Sequence, residues 1–181
     1  AYGLYCGILA TLTTGVPAIL FEGGFSAQAT IEIIEKQKIT NFAAAPTVYR
    51  SLRADGIEIS KGHKLRCLSS AGEPLTPEIN EWAKSFFGLS VHDHYGQTET
   101  SMVINNHHHP ALKTILRDGS MGQVMPGWSA TVLKNNEDLP EEPGVPGRVA
   151  FIIDESPFSW FTGYIGDPKK SAEKFSKDGK Y

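Results

Sequence analysis

The stretch Asp93-His94-Tyr95-Gly96-Gln97-Thr98-Glu99-Thr100 decides how the rest of the sequence is interpreted. It begins at the end of a predicted strand over residues 90–94 and ends in amide, hydroxyl and carboxylate side chains. A hydroxyl beside a carboxylate suits a phosphate with its Mg²⁺, because Mg²⁺ takes one or two carboxylates together with phosphate oxygens. The alternative is a turn from a strand into a helix, with Thr98 as the cap and Glu99 on the helix dipole.

Strands and helices alternate upstream of this stretch. Helices are predicted over residues 3–13, 26–38, 46–55 and 77–87, the first of them buried, and strands over 16–21, 40–44, 64–70 and 90–94. Ser26 is a plausible N-cap, and Pro46 and Pro77 stand where the first residue of a helix would be. This alternation is typical of an α/β fold with a mostly parallel, flavodoxin-like sheet and flanking helices.

Two further strand ends carry small or polar residues, Ala45-Pro46-Thr47 and Gly72-Glu73-Pro74. Ligands of parallel α/β sheets bind outside the carboxyl ends of the strands, so we expect these loops to meet Tyr95 at one edge. The backbone of Gly72–Pro74 could pack on a flat heterocycle, with the Tyr95 ring on the opposite face. An ordinary strand-to-helix loop is the alternative for this segment.

The pattern changes near His107, where glycine and proline become frequent. Short segments at 129–134 and 148–153 predict antiparallel strands in a turn-rich, barrel-like region. We therefore expect an α/β subdomain over residues 1–108 and a β-rich subdomain over residues 109–181. The chain stops just after Asp178-Gly179, a hairpin turn signal, which favours a fragment of a longer protein truncated inside this second subdomain.

Composition excludes several classes of protein. Seventeen Lys and Arg against 20 Asp and Glu give a formal net charge of −3, which is unlike the basic surface of a nucleic-acid-binding protein. No apolar run reaches the ~18 residues of a membrane span. Two distant cysteines form no disulfide framework, so a reducing cytoplasm is the expected location. The run His107-His108-His109 lacks a complementary acid or cysteine and predicts a solvent-exposed loop rather than a metal site.

Taken together, the three loops resemble the adenylate-forming (AMP-binding) superfamily, and most closely its branch of acetyl-CoA and medium-chain acyl-CoA synthetases. The resemblance covers essentially the whole chain. It is carried by Ala45-Pro46-Thr47, Ser70-Ala71-Gly72-Glu73-Pro74-Leu75, Tyr95-Gly96-Gln97-Thr98-Glu99-Thr100, Gly122-Gln123, Pro126-Gly127, Gly147-Arg148-Val149 and Gly163-Tyr164. It implies an enzyme of fatty acid metabolism that activates a carboxylic acid with ATP and transfers the acyl group to coenzyme A.

The resemblance also implies a role for each matching residue. Gly72, Glu73 and Pro74 would line the site of the adenine and the acyl-adenylate, and Ala45 would border the route of the CoA thiol. Thr98 would hold an ATP phosphate and Glu99 would bind Mg²⁺, which makes them the candidate catalytic residues. The remaining nucleotide-binding positions are Asp93 and His94 beside the base, Tyr95 stacked on it, Gly96 and Gln97.

Gly96 bears on the acyl substrate. Relatives selective for acetate have a bulky Trp at this place, which closes the acyl pocket, so glycine predicts an acid longer than acetate. The phosphate loop, the ribose-binding Asp and the catalytic Lys of the family have no match in this sequence, and the isolated chain is therefore expected to be inactive. Two alternatives remain, a non-catalytic nucleotide-binding scaffold and an adenylation domain that serves a carrier protein. Gln97 and the Gly72-Glu73-Pro74 string count against the second.

Overall fold

A computed structural model of the chain describes residues 2–181, which divide into two compact units between Gln123 and Val124. The sequence-predicted boundary between residues 108 and 109 lies earlier and stays a prediction about subdomains. No helix in the described part of the chain is long and apolar enough to cross a lipid bilayer.

The first unit is organised around a sheet with the strand order β1-β2-β3-β4-β5. The strands of this sheet are β1 (Asn41–Ala43), β2 (Cys67–Ala71), β3 (Val91–Gln97), β4 (Ser101–Asn105) and β5 (Gln123–Val124), the last of which contains the boundary between the units. The pairs β1–β2 and β2–β3 are parallel, and β3–β4 is antiparallel. The predicted α/β fold with parallel strands is thereby confirmed.

Helices α2 (Ala27–Lys36), α3 (Pro46–Ala54) and α4 (Pro77–Phe87) connect or precede the parallel strands. The Ser26 hydroxyl accepts the amide hydrogen of Ala29 at 3.3 Å and caps α2, as the sequence predicts. Pro46 and Pro77 occupy first-turn positions, where their missing N–H is not needed. Apolar side chains from these helices and from β2 and β3 form one core, which includes Ile31, Tyr49, Leu52, Leu68, Ala83 and Val91.

The N-terminal part of the first unit differs from the prediction. Residues 3–13 are helical, as a π-helix Gly3–Leu9 followed by α1 (Ala10–Thr14), but neither helix has a buried residue. The predicted strand over 16–21 does not form, and Leu20 and Phe21 are exposed. An apolar run predicts burial only where a partner surface covers it, and within residues 2–181 no strand pairs with this segment.

The second unit contains a two-stranded antiparallel sheet, β6 (Ala130–Leu133) with β7 (Arg148–Phe151), which confirms both predicted strands. A 3₁₀ turn, Ile153–Glu155, and a short helix, α5 (Pro168–Ala172), follow. The turn at Asp178-Gly179 folds the chain back, so that the Ser176 amide donates to the Tyr181 carbonyl at 2.9 Å. Tyr181 is 8% exposed, although no strand forms after the turn.

Candidate functional site

Two loops and a segment of β3 meet near the carboxyl-terminal edge of the parallel strands. Ala43 pairs with Ser69 and Ala71 with His94, so Ala45 and Gly72, which follow β1 and β2, lie at about the level at which Tyr95 stands within β3. The Ala44 amide donates to the Ser69 carbonyl at 3.1 Å and extends the first pairing into the loop. The predicted third loop is shorter than expected, because β3 continues to Gln97 instead of ending at His94.

The Glu73 carboxylate links two of these loops. Its Oε1 accepts the backbone N–H of Thr47 at 3.2 Å and also the Thr47 hydroxyl. Its Oε2 accepts from the Arg50 guanidinium at 2.5 Å. The hydrogen bond from the Thr47 hydroxyl, and then the one from Arg50, lower the pKa of Glu73 below its ordinary value, so it is ionised at neutral pH.

The loop after β2 leaves room for a flat group. Gly72 adopts φ +97°, a conformation that favours glycine, and no atom lies within 4 Å of the position a Cβ would take there. Pro74 is exposed, while Glu73 is partly covered. Tyr95 lies half-buried on the neighbouring strand, and burial raises the pKa of its hydroxyl. A glycine backbone beside an aromatic ring is an arrangement that can contact a purine.

Asp93 is a buried acid with one unsatisfied oxygen. It is 8% exposed, and the nearby backbone N–H groups of His94 and Leu75 offset only part of the effect of burial on its pKa. Its Oδ1 has no hydrogen-bond partner within residues 2–181, and burial raises the pKa of the carboxyl to about 6. The residue lines a cleft of about 20 Å³ with Asn80, Asn106 and Ser120, which is room for about one water molecule.

A cluster of histidines lies on the other face of β3. The rings of His92 and His108 stack at 3.6 Å with 13° between their planes, and His92 Nδ1–H donates to the Asn106 carbonyl at 2.8 Å. His94 meets the edge of His108 at 6.5 Å and of Tyr2 at 6.2 Å. Burial, and then the neighbouring imidazoles, lower the pKa of His94 to about 4.

The histidine loop therefore differs in part from the prediction. His109 is exposed as expected, but His107 and His108 are partly buried, because His108 stacks on His92. Among residues 2–181 no group of three or more His, Cys, Asp or Glu side chains is arranged to hold a metal ion by itself.

Thr98 and Glu99 lie at the tip of the β3–β4 hairpin. The alternative interpretation of this segment as a strand-to-helix connection is wrong, because the chain turns back directly into β4. The Tyr5 hydroxyl donates to the Thr98 carbonyl at 2.6 Å, which ties the π-helix to the hairpin. Thr98 is exposed and Glu99 half-buried, three and four residues beyond Tyr95.

This hairpin tip fits Mg²⁺ bound together with a nucleotide. Glu99 supplies a carboxylate, flanked by the hydroxyls of Thr98 and Thr100. Mg²⁺ is usually held by one or two carboxylates, waters and substrate phosphates rather than by an all-protein cage, so a single acid at an exposed turn is a suitable donor.

Glycine is required at position 96 for a structural reason that the sequence did not indicate. The pairing of β3 with β4 shifts register between Tyr95 and Gly96, as in a β-bulge. A Cβ at Gly96 would overlap the Ser101 carbonyl oxygen and lie 2.7 Å from Met102 Cα. Backbone packing within the hairpin thus requires glycine here, independently of any acyl pocket.

Sequence reasoning missed three residues that shape this edge. Arg50 holds Glu73, and Asn106 donates from Nδ2 to the carbonyls of Asp93 at 3.0 Å and Ser120 at 2.7 Å. His92 supports His108 by stacking. The alternation of His92 and His94 along a strand places both on one face and was the available signal for the cluster. No local signal was available for Arg50, because its partner Glu73 lies 23 positions away on another element.

Comparison with known proteins identifies the family. The model of the AMP-binding enzyme family matches residues 1–157. The chain belongs to the AMP-binding enzyme family. The chain spans about a quarter of the length of the curated relatives it matches. It covers 25% of the mouse mitochondrial acyl-coenzyme A synthetase ACSM3 and 25% of the human one.

Individual relatives agree with this membership. The mouse ACSM3 is 35% identical over 150 residues, 82% of the chain, and 4-hydroxybutyrate–CoA ligase 1 of Metallosphaera sedula is 32% identical over 166 residues, covering 92% of the chain and 28% of the ligase. The crystal structure of Brucella canis acyl-CoA synthetase superposes with a TM-score of 0.83 at 42% identity, over 99% of this chain and 35% of that one.

Replacing Gly96 with alanine should destabilise the first unit, because the added methyl meets backbone atoms that cannot rotate away. We expect a loss of about 1–3 kcal/mol in the free energy of unfolding, the usual cost of overpacking. The matched control is Gly62→Ala, where the Cβ would have no atom within 4 Å. Urea unfolding followed by circular dichroism measures both, and equal midpoints would contradict the packing argument.

The buried titratable groups of β3 predict opposite pH dependences. His94 has a pKa of about 4 in the folded state, against an ordinary value of 6.5. As pH falls from 6.5 towards 4, the unfolded state therefore binds the proton before the folded state does, and the free energy of unfolding decreases. Asp93, with a folded pKa of about 6, has the reverse effect and lowers stability as pH rises from 4 to 6.

Between pH 7 and pH 5 the His94 contribution corresponds to about 2 kcal/mol lost on acidification. His94→Gln should therefore flatten the decline in unfolding free energy between these pH values, and Asp93→Asn should steepen it. Denaturant titrations at pH 5, 6 and 7 test the two signs separately, and a change of the same sign in both variants would refute the assignment.

Proposed function

We propose that the protein to which this chain belongs is an AMP-forming acyl-CoA synthetase. The observation that supports this most is the meeting of the Ala45 and Gly72–Pro74 loops with the Asp93–Tyr95 segment of β3 at one sheet edge, in a chain of the AMP-binding enzyme family. The names of the mouse, Metallosphaera sedula and Brucella canis relatives, all CoA ligases or synthetases, agree with it.

The adenine of ATP would lie between the Gly72–Pro74 backbone and the Tyr95 ring. The open space beside Gly72 and the half-buried ring support this placement. Asp93 and His94 would flank the base from β3. Ala45, joined to the same edge, would border the route of the CoA thiol. Gly96 and Gln97 would continue this wall towards the hairpin tip.

Thr98 and Glu99 would serve the phosphates. The Thr98 hydroxyl would donate to a phosphate oxygen, and the Glu99 carboxylate would hold Mg²⁺. The ion, when bound, neutralises negative charge on the phosphates. The contribution of these residues is to position ATP and to stabilise charge, because the protein itself forms no bond in the reaction.

The reaction proposed has two steps. A carboxylate oxygen of the acid attacks the α-phosphorus of ATP, the bond to the β-phosphate oxygen breaks, and acyl-adenylate and pyrophosphate form. The deprotonated thiol sulfur of CoA then attacks the acyl carbon, and the acyl–oxygen bond breaks to release AMP. No oxidant or reductant is needed.

The acid substrate would be longer than acetate, either a fatty acid or a compact organic acid. The 4-hydroxybutyrate–CoA ligase among the relatives supports a substrate of this size. Gly96 supports it less than the sequence indicated, because the hairpin backbone already requires glycine at that position.

The subdomain boundary near residue 108 and a cytoplasmic location are further proposals. The names of the ACSM3 relatives contain the word mitochondrial.

Removing the groups assigned to the phosphates should slow adenylation. In the intact protein, Thr98→Val and Glu99→Gln should each lower the rate of acid-dependent ATP–pyrophosphate exchange by roughly 100-fold, the scale of losing one preorganised electrostatic group. Glu78→Gln on α4, an exposed acid outside the three loops, is the control and should be unaffected. Full activity in both site variants would refute the roles of Thr98 and Glu99.

The same assay tests the isolated chain, which we expect to give no exchange. Robust turnover by the 181 residues alone would show that the missing phosphate loop and lysine are not needed.

The acyl preference can be measured with the intact protein. Each added buried methylene is worth about 0.8 kcal/mol, so kcat/KM should rise from acetate through butyrate to hexanoate, by roughly 4-fold per methylene while the pocket has room. Thioester formation measured at limiting acid gives these ratios. An acetate value equal to or above that for hexanoate would contradict the proposed substrate class.

A further inference from the structure

Arg50 lies one turn into α3 and faces the loop after β2. Its terminal nitrogen is 2.9 Å from the Thr47 hydroxyl oxygen and 2.5 Å from Glu73 Oε2. The other oxygen of Glu73 accepts from the amide and hydroxyl of Thr47. Both oxygens of one carboxylate are therefore held by donors that belong to α3.

These bonds join two loops that have no covalent connection nearby. Thr47 follows Ala45 and Pro46 at the start of α3, where the backbone N–H groups have no partner inside the helix. Glu73 satisfies one of them and places a negative charge at the positive end of the helix. The Gly72–Pro74 loop is thus fixed to the Ala45–Thr47 loop through a single side chain.

We infer that Arg50 is a positioning residue, which acts through Glu73 to hold the adenine-side loop and the thiol-side loop in one arrangement. The inference rests on the proposed function, since it assigns those two loops to ATP and CoA. Arg50 itself would touch neither substrate. Its guanidinium orients the carboxylate and neutralises it, so that Glu73 stays turned towards α3 instead of towards the bound nucleotide.

The chain contains a matched ion pair for comparison. Arg53, one turn further along α3, contacts Glu78 of α4 at 2.5 Å. The exposed fractions of the two arginine side chains are nearly equal, 42% for Arg50 and 41% for Arg53. The pairs differ in what they connect, because Arg53–Glu78 links two helices and holds none of the three loops. A general effect of losing a surface ion pair should therefore appear in both.

The experiment compares Arg50→Gln with Arg53→Gln in the intact protein. Arg50→Gln should raise KM for ATP in pyrophosphate exchange and KM for CoA in thioester formation, each by roughly tenfold, because both loops lose their fixed position. The kcat at saturation should change far less, since the reacting groups are untouched. Arg53→Gln should leave both KM values within twofold, and the melting temperatures of the two variants should be similar.

Two more variants separate positioning from simple destabilisation. Arg50→Lys keeps the charge but offers a point donor in place of a planar fork, so its KM values should lie between those of wild type and Arg50→Gln. Arg50→Gln combined with Glu73→Gln should be no worse than Glu73→Gln alone, because both changes break one interaction.

The outcomes distinguish the role of Arg50 from the proposed function. If wild type carries out acid-dependent exchange and Arg50→Gln behaves like Arg53→Gln in both KM values, the role of Arg50 is refuted and the proposed function stands. Additive effects in the double variant refute it equally. If wild type shows no exchange with any carboxylic acid, the proposed function fails, and the positioning role fails with it.

Discussion

The parallel pairing of β1, β2 and β3 is the constraint on which the rest of the site depends. Parallel strands end on the same side of a sheet, and the registers Ala43 with Ser69 and Ala71 with His94 bring the loops after β1 and β2 to the level of Tyr95 in β3. The other features of that edge arise from single turns. Gly72 turns the second loop, and the β3–β4 hairpin carries Thr98 and Glu99 beyond it.

The two acids near this edge, Glu73 and Asp93, lie in different electrostatic environments. Glu73 is ionised and fully held by Thr47 and Arg50, which lowers its pKa. Asp93, one strand away, is buried with an unsatisfied oxygen, and its pKa is raised. The two acids thus have different tasks, because Glu73 has a cationic and an amide donor while the Asp93 carboxyl is buried without a cationic partner among the described residues. Glu73 suits fixation of the backbone, and Asp93 suits acceptance of a hydrogen bond from a group that enters the site.

Much of the first unit could be predicted from the sequence, since the signals there are local. Ser26 caps α2, prolines begin α3 and α4, and short apolar runs become β1, β2 and β3. The prediction was wrong where an apolar run needed a partner, as at residues 16–21, and where a hydroxyl-rich turn could enter either a helix or a strand, as at Thr98. His108 was assigned to an exposed loop because its stacking partner, His92, lies sixteen positions away.

The sequence by itself determined the alternation of strands and helices, the family through its three loops, and the residue types available for nucleotide, phosphate and metal. The tertiary structure decided which of those residues contact one another. It assigned Gly96 to backbone packing against Ser101, and it placed the carboxylate of Glu73 on α3 rather than in open solvent. Such pairings depend on contacts between distant positions, and no local propensity or spacing specifies them.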